Sequence, residues 1–211
     1  MSANGFCQGQ SSALFRFSSQ PRPSINRLRH QGGVTFIECL VTLAILLIVI
    51  RIVMPNFADM QRRLTIEHEQ LKWQRHLALA RRQAIRYQTA VVICPKKQQL
   101  ICVDDWQHGA MSFVDNNGNR QFDDDDRLLA ILADVPENIE LRWTSLQRNA
   151  LIVFNSYGLA RGYNGTMTLC HRQVASQGRA VIVSSSGRLK ASRDYNGDGV
   201  HEKRRNVPVR C

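Results

Sequence analysis

Glu38 is a carboxylate inside an apolar run. Across residues 34–54 its only ionisable companions are Arg51 and the Cys39 thiol. A charge in such a segment is costly in lipid and demands a partner. At the other end of the chain, Asp194, Asn196 and Asp198 precede Gly199 in the D-x-N-x-D-G spacing of the first half of a calcium loop. The twelfth position is Arg205, so a calcium site needs an acid from elsewhere, and an Asx-rich turn held by its own side chains is the simpler expectation. The stretch from Asp115 to Asn119 with Asp123 to Asp126 has Arg120 where that loop wants glycine, and reads as a hairpin turn with a solvated acidic loop. Arg188, Lys190, Arg193, Lys203, Arg204 and Arg205 supply the chemistry of phosphate binding, diluted by Asp194, Asp198 and Glu202. No nucleophile, base and acid spacing is recognisable among His68, His76, His108, His171 and His201, so no enzyme is expected and these histidines read as structural.

Cysteines divide by position. Cys7 and Cys39 belong to the N-terminal region, which leaves Cys94, Cys102, Cys170 and Cys211 with three pairings open. The chain has no C-x-x-C pair, and its histidines keep no ligand spacing with the cysteines, so disulfides in an exported domain are expected rather than metal. The short spacing of Cys94 and Cys102 suits a staple across adjacent strands, and Cys170 with Cys211 would then tie the basic end back to the sheet.

These groups need elements to position them. Residues 32–55 are long and apolar enough to cross a bilayer as one helix. Arg27, Arg29 and His30 precede that run, which predicts a cytoplasmic N-terminus and an exported C-terminal part. From residue 56 to 88 the pattern is helical, with two adjacent apolar stripes. One is Phe57, Leu64, Leu71, Ala78 and Ile85; the other is Trp73, Leu77, Ala80, Ala84 and Tyr87. Arg62, Arg63, Glu67, Glu69, Lys72, Arg75, Arg81, Arg82 and Arg86 are expected at solvent or at neighbouring subunits, and Pro55 is expected to kink the helix. After Gln88 the period becomes that of strands, at residues 89–94, 100–103, 110–114, 127–132, 139–143, 151–154, 166–170 and 179–184. A long helix on an antiparallel sheet is an α+β domain. The net charge is +11, and it is +7 beyond residue 33, where 24 Lys and Arg face 17 Asp and Glu, which favours anionic partners.

A basic leader ending in glycine, then T-F-I-E with the glutamate fifth after that glycine, then an apolar run and Pro55, resembles the type IV pilin and type II pseudopilin class. Val34 stands where phenylalanine is commoner, and the leader is longer than usual. V-V-I-C-P, then Cys102, Trp106, Gly109, F-V-D-N-N-G-N, G-T-M-T-L-C and V-I-V-S-S-S-G-R-L-K resemble the GspH/FimT family. That resemblance implies a type IV pilin-like fold: a long kinked N-terminal helix, its first half transmembrane, packed on antiparallel β-sheet. It implies a leader over residues 1–33, a membrane and polymerisation helix over 34–55, its amphipathic continuation over 56–88, a β-rich domain over 89–186 and a basic segment over 187–211. Prepilin peptidase would cut between Gly33 and Val34, the Val34 amine would be methylated, and Glu38 would serve assembly in a filament with other pilins. In the FimT branch the resemblance further implies a minor pilin whose flexible C-terminal segment binds double-stranded DNA in natural transformation through a G-R-x-R-like motif. Here that motif is Gly187-Arg188-Leu189-Lys190, and lysine keeps the charge but loses the planar fork. In the GspH branch the same anchor belongs to a structural pseudopilin of type II secretion. No cofactor is expected beyond the weak calcium candidates.

Overall fold

The computed structural model describes residues 33–97, 100–145 and 150–211. The residues up to Leu46 and those from Leu47 onward form two units, each described on its own. The leader assigned to residues 1–33 lies outside the described residues apart from Gly33.

Helix α1 spans Phe36–Tyr87 and is assigned as helix through Pro55. It opens on a reciprocal cap: the Glu38 amide donates to Thr35 Oγ1 at 3.3 Å and the Thr35 amide to Glu38 Oε2 at 3.5 Å. This is a Thr-x-x-Glu capping box, and a carboxylate there also suits the positive end of the helix dipole.

Two four-stranded antiparallel sheets follow. The first has the order β3-β2-β1-β5, built from β1 (Ala90–Pro95), β2 (Ala110–Asp115), β3 (Arg127–Leu132) and β5 (Ile152–Phe154). The second has the order β4-β6-β7-β8, built from β4 (Ile139–Ser145), β6 (Gly165–His171), β7 (Val174–Val183) and β8 (Leu189–Ala191). A small hairpin of β9 (Glu202–Arg204) and β10 (Val207–Pro208) ends the chain.

The main core joins Trp73, Leu77, Ala80 and Ala84 of α1 to residues of both sheets, among them Ile93, Phe154, Leu141, Leu169 and Val181. Strand β1 is buried on both faces, because Val92 and Cys94 enter a second cluster with Met111, Phe113 and Val153, flanked by Leu100, Cys102 and Phe122. That double burial is why its sequence is a continuous apolar run instead of an alternating one.

Three expectations are corrected. Residues 100–103 make no strand, only an isolated bridge between Lys96 and Cys102, since both edges of β1 are already taken by β2 and β5. Glu69 does not face solvent: it is buried on the Trp73 side of the helix and ion-paired at 2.7 Å with Lys72. The segment 187–211 is no flexible tail, since it supplies the edge strand β8 and the β9–β10 hairpin. The two stripes of α1 also separate: Trp73, Leu77, Ala80 and Ala84 are buried, while Phe57, Leu64, Leu71 and Ile85 stay exposed.

Candidate functional site

At the N-terminal end Gly33 has open space around its Cα, Val34 is exposed, and Glu38 is exposed on the first turn of α1. Among the described residues α1 is the one helix long and apolar enough to cross a membrane, and none of its most apolar window is buried in protein.

At the other end the basic residues fall into two environments. Arg188 sits on the β7–β8 turn, exposed, with its backbone clamped: its amide donates to Ser184 Oγ and its carbonyl accepts from the same hydroxyl, both at 3.0 Å. Gly187 has φ +73, and a Cβ there would run into the Gly158 carbonyl and the Arg81 guanidinium, so only glycine fits this turn. Lys190 is exposed in β8 opposite Ile182, which pairs with Thr166, itself paired with Thr144, so these four share one face of the sheet. Arg193, Lys203, Arg204 and Arg205 lie instead around the Asp194 loop and the β9–β10 hairpin, where Arg193 bridges to Glu202.

The hairpin is held down. Cys170 and Cys211 are bonded, as are Cys94 and Cys102, the pairing that the spacing favoured. A Cβ on Gly178 would meet Cys211 Sγ and Val209, so the chain end lies directly on β7. Beneath it Arg179 is buried, and burial holds its guanidinium below the usual range, with Glu67 and Asp194 opposing that shift and Arg63 adding to it.

A family profile described as type II transport protein GspH matches residues 72–187, more than half of the chain. The chain belongs to the GspH family. The prokaryotic N-terminal methylation motif matches residues 28–50, which contain Gly33, Val34 and Glu38. Among solved structures, a crystal form of the type IV minor pilin FimU of Pseudomonas aeruginosa is similar to this GspH-family chain, with 17% identity, a TM-score of 0.50 and coverage of 63% of this chain and 91% of that one. A second crystal form of the same pilin has 17% identity, a TM-score of 0.47 and coverage of 60% and 92%. No curated protein matches. The fold of this GspH-family chain is therefore that of a type IV pilin: a long N-terminal helix packed on antiparallel sheets.

The calcium candidates have their oxygens engaged internally. Asp194 accepts from the amides of Gly197 at 2.7 Å and Gly199 at 2.9 Å, Asp198 accepts from Val200 at 2.7 Å, and Asn196 donates to Asp198 at 2.9 Å. Those amide bonds, Gly199 foremost, hold Asp194 below the usual carboxylate range. The Asp115 loop is organised likewise, with Asp115 accepting from the Gly118 and Arg120 amides and Asp123 from the side chains of Asn117 and Asn119. Arg120 takes the left-handed φ of +63 that the glycine of a calcium loop would have. Among the described residues no group of three His, Cys, Asp or Glu is arranged to hold a metal.

Sequence reasoning missed the charge segregation that places these turns. No Asp or Glu occurs from Leu141 to Arg193, a stretch with eight Arg and Lys that contains β6, β7, β8 and β4 beyond its first two residues, whereas ten of the 17 acids, Glu140 of β4 among them, lie in residues 104–140. The signal was available as a gap in acid positions. It also missed Tyr157 and Arg161, exposed on the loop between β5 and β6, which show no periodicity to mark them.

Proposed function

We propose that this chain is a minor subunit of a type IV pilus that captures DNA without reading its sequence. Prepilin peptidase cuts after Gly33, the Val34 amine is methylated, and the N-terminus stays cytoplasmic while the β-rich domain is exported. Glu38 faces the amine of a neighbouring subunit in the assembled filament, which gives an apolar-helix carboxylate an ion-pair partner. Pro55 kinks the helix where it leaves the membrane. Arg188, Lys190 and Arg193 contact DNA phosphates, joined by Lys203, Arg204 and Arg205 on the hairpin.

The observation that carries this reading is the exposed, backbone-clamped Arg188 close in sequence to Lys190, both within the stretch from Leu141 to Arg193 that holds no acid. Phosphate contacts dominate affinity and carry no sequence information, which suits the capture of arbitrary DNA. Mobility shifts with the full chain in detergent test it. At about 50 mM salt the wild type retards DNA, and Arg188→Ala with Lys190→Ala lowers affinity about tenfold and reduces the salt slope by about two. Unchanged binding by the double variant removes this motif from the interface. The second reading, a structural pseudopilin of type II secretion, is supported by the family description and by Asp194, Asp198 and Glu202 beside the hairpin cations. Absence of DNA binding at low salt decides for it.

A further inference from the structure

The turn that displays Arg188 is not isolated: the turn of residues 155–159 is packed directly against it. The Ala160 amide donates to the Ser185 carbonyl at 3.0 Å, Arg81 Nε of α1 donates to the Gly158 carbonyl at 2.9 Å, and Gly187 lies too close to that carbonyl to carry a side chain. At the corner of this second turn stands Tyr157, 78% exposed. Its backbone is fixed, since Asn155 Oδ1 accepts from the amides of Tyr157 at 3.1 Å and Leu159 at 2.9 Å, and the Gly158 amide donates to the Asn155 carbonyl at 2.7 Å. Arg161 follows, exposed, on the same loop.

We infer that Tyr157 is a base-stacking platform of the same interface, so that the surface takes single-stranded DNA in preference to intact duplex. The inference rests on the DNA-binding reading above and deepens it by naming the form of nucleic acid. An aromatic ring beside phosphate-binding cations is the arrangement that holds unpaired strands: the cations follow the backbone, and the ring stacks on whichever base is presented. A duplex hides its base faces within its own stack, which leaves Tyr157 nothing to stack on there. The block without acids keeps carboxylates of neighbouring sequence from repelling the strand. The resemblance implied double-stranded DNA, so the two expectations diverge in a measurable way.

The test is fluorescence anisotropy with the full-length chain in detergent micelles, using oligo(dT) of about 20 nucleotides and a duplex of equal length as probes. The wild type binds oligo(dT) more tightly than the duplex. Tyr157→Ala weakens oligo(dT) binding about tenfold and duplex binding less than about twofold, while Tyr157→Phe, which keeps the ring, retains wild-type affinity. An exposed side chain at this position leaves the thermal midpoint unchanged, so the loss is one of contact. Equal binding of oligo(dT) by wild type and Tyr157→Ala, or tighter binding of the duplex, overturns the inference alone. If the wild type binds neither probe at low salt, the DNA reading falls with it.

Discussion

His76 shows how one residue on a polar-looking helix is governed by its neighbours. It is 6% exposed, its ring meets Trp73 edge-on, and Nε2 has no hydrogen-bond partner among the described residues. Burial lowers its pKa from 6.5 to about 4. The unfolded chain therefore binds a proton between those values that the folded chain refuses, and stability falls as pH drops from about 6.5 towards 4. The expected loss from this residue is about 3 kcal/mol. Burial shifts His171 and His201 in the same direction, with Arg62 and Arg179 respectively adding to it. Urea titrations at pH 7 and pH 4.5 should show a smaller difference for His76→Gln than for the wild type.

At the scale of elements, the C-terminal hairpin is too small to hold itself. Strand β9 has three residues and β10 two, and a lone two-stranded hairpin is marginal in water. It is kept by Val209, buried against Gly178, and by the Cys170–Cys211 bond, which closes a separation of 41 residues. Cys170→Ser with Cys211→Ser should cost up to about 4 kcal/mol by the loop-entropy relation. Hydrogen exchange should then show amides of 202–209 losing protection before those of β6 and β7. Retained protection across the hairpin would mean that packing alone suffices.

Across the whole molecule, α1 divides its apolar residues between two destinations. The Trp73 stripe forms the domain core, and the Leu64 and Leu71 stripe stays uncovered on the same helix. Substitutions should separate accordingly. Leu77→Ala removes a fully buried side chain and should cost about 2–5 kcal/mol in urea denaturation. Leu71→Gln should stay within about 0.5 kcal/mol of wild type in the same measurement. A large cost for the second would show that the exposed stripe supports the isolated fold.

How much of this was legible depends on whether the cause was local. The apolar run around Glu38, the amphipathic helix to residue 87 and most strands follow from side-chain period and turn chemistry within a few residues, so sequence alone determined them. The basic end was also legible as composition. Tertiary structure alone decided the rest, because each feature depends on residues far apart in the chain. Occupied edges of β1 turned residues 100–103 into a loop, and contact with the sheets chose which helical stripe is buried and took Glu69 with it. The meeting of Arg81, Gly158 and Gly187, which sets Tyr157 beside Arg188, has no local sequence pattern because packing brings the three together only after the helix and both turns have formed.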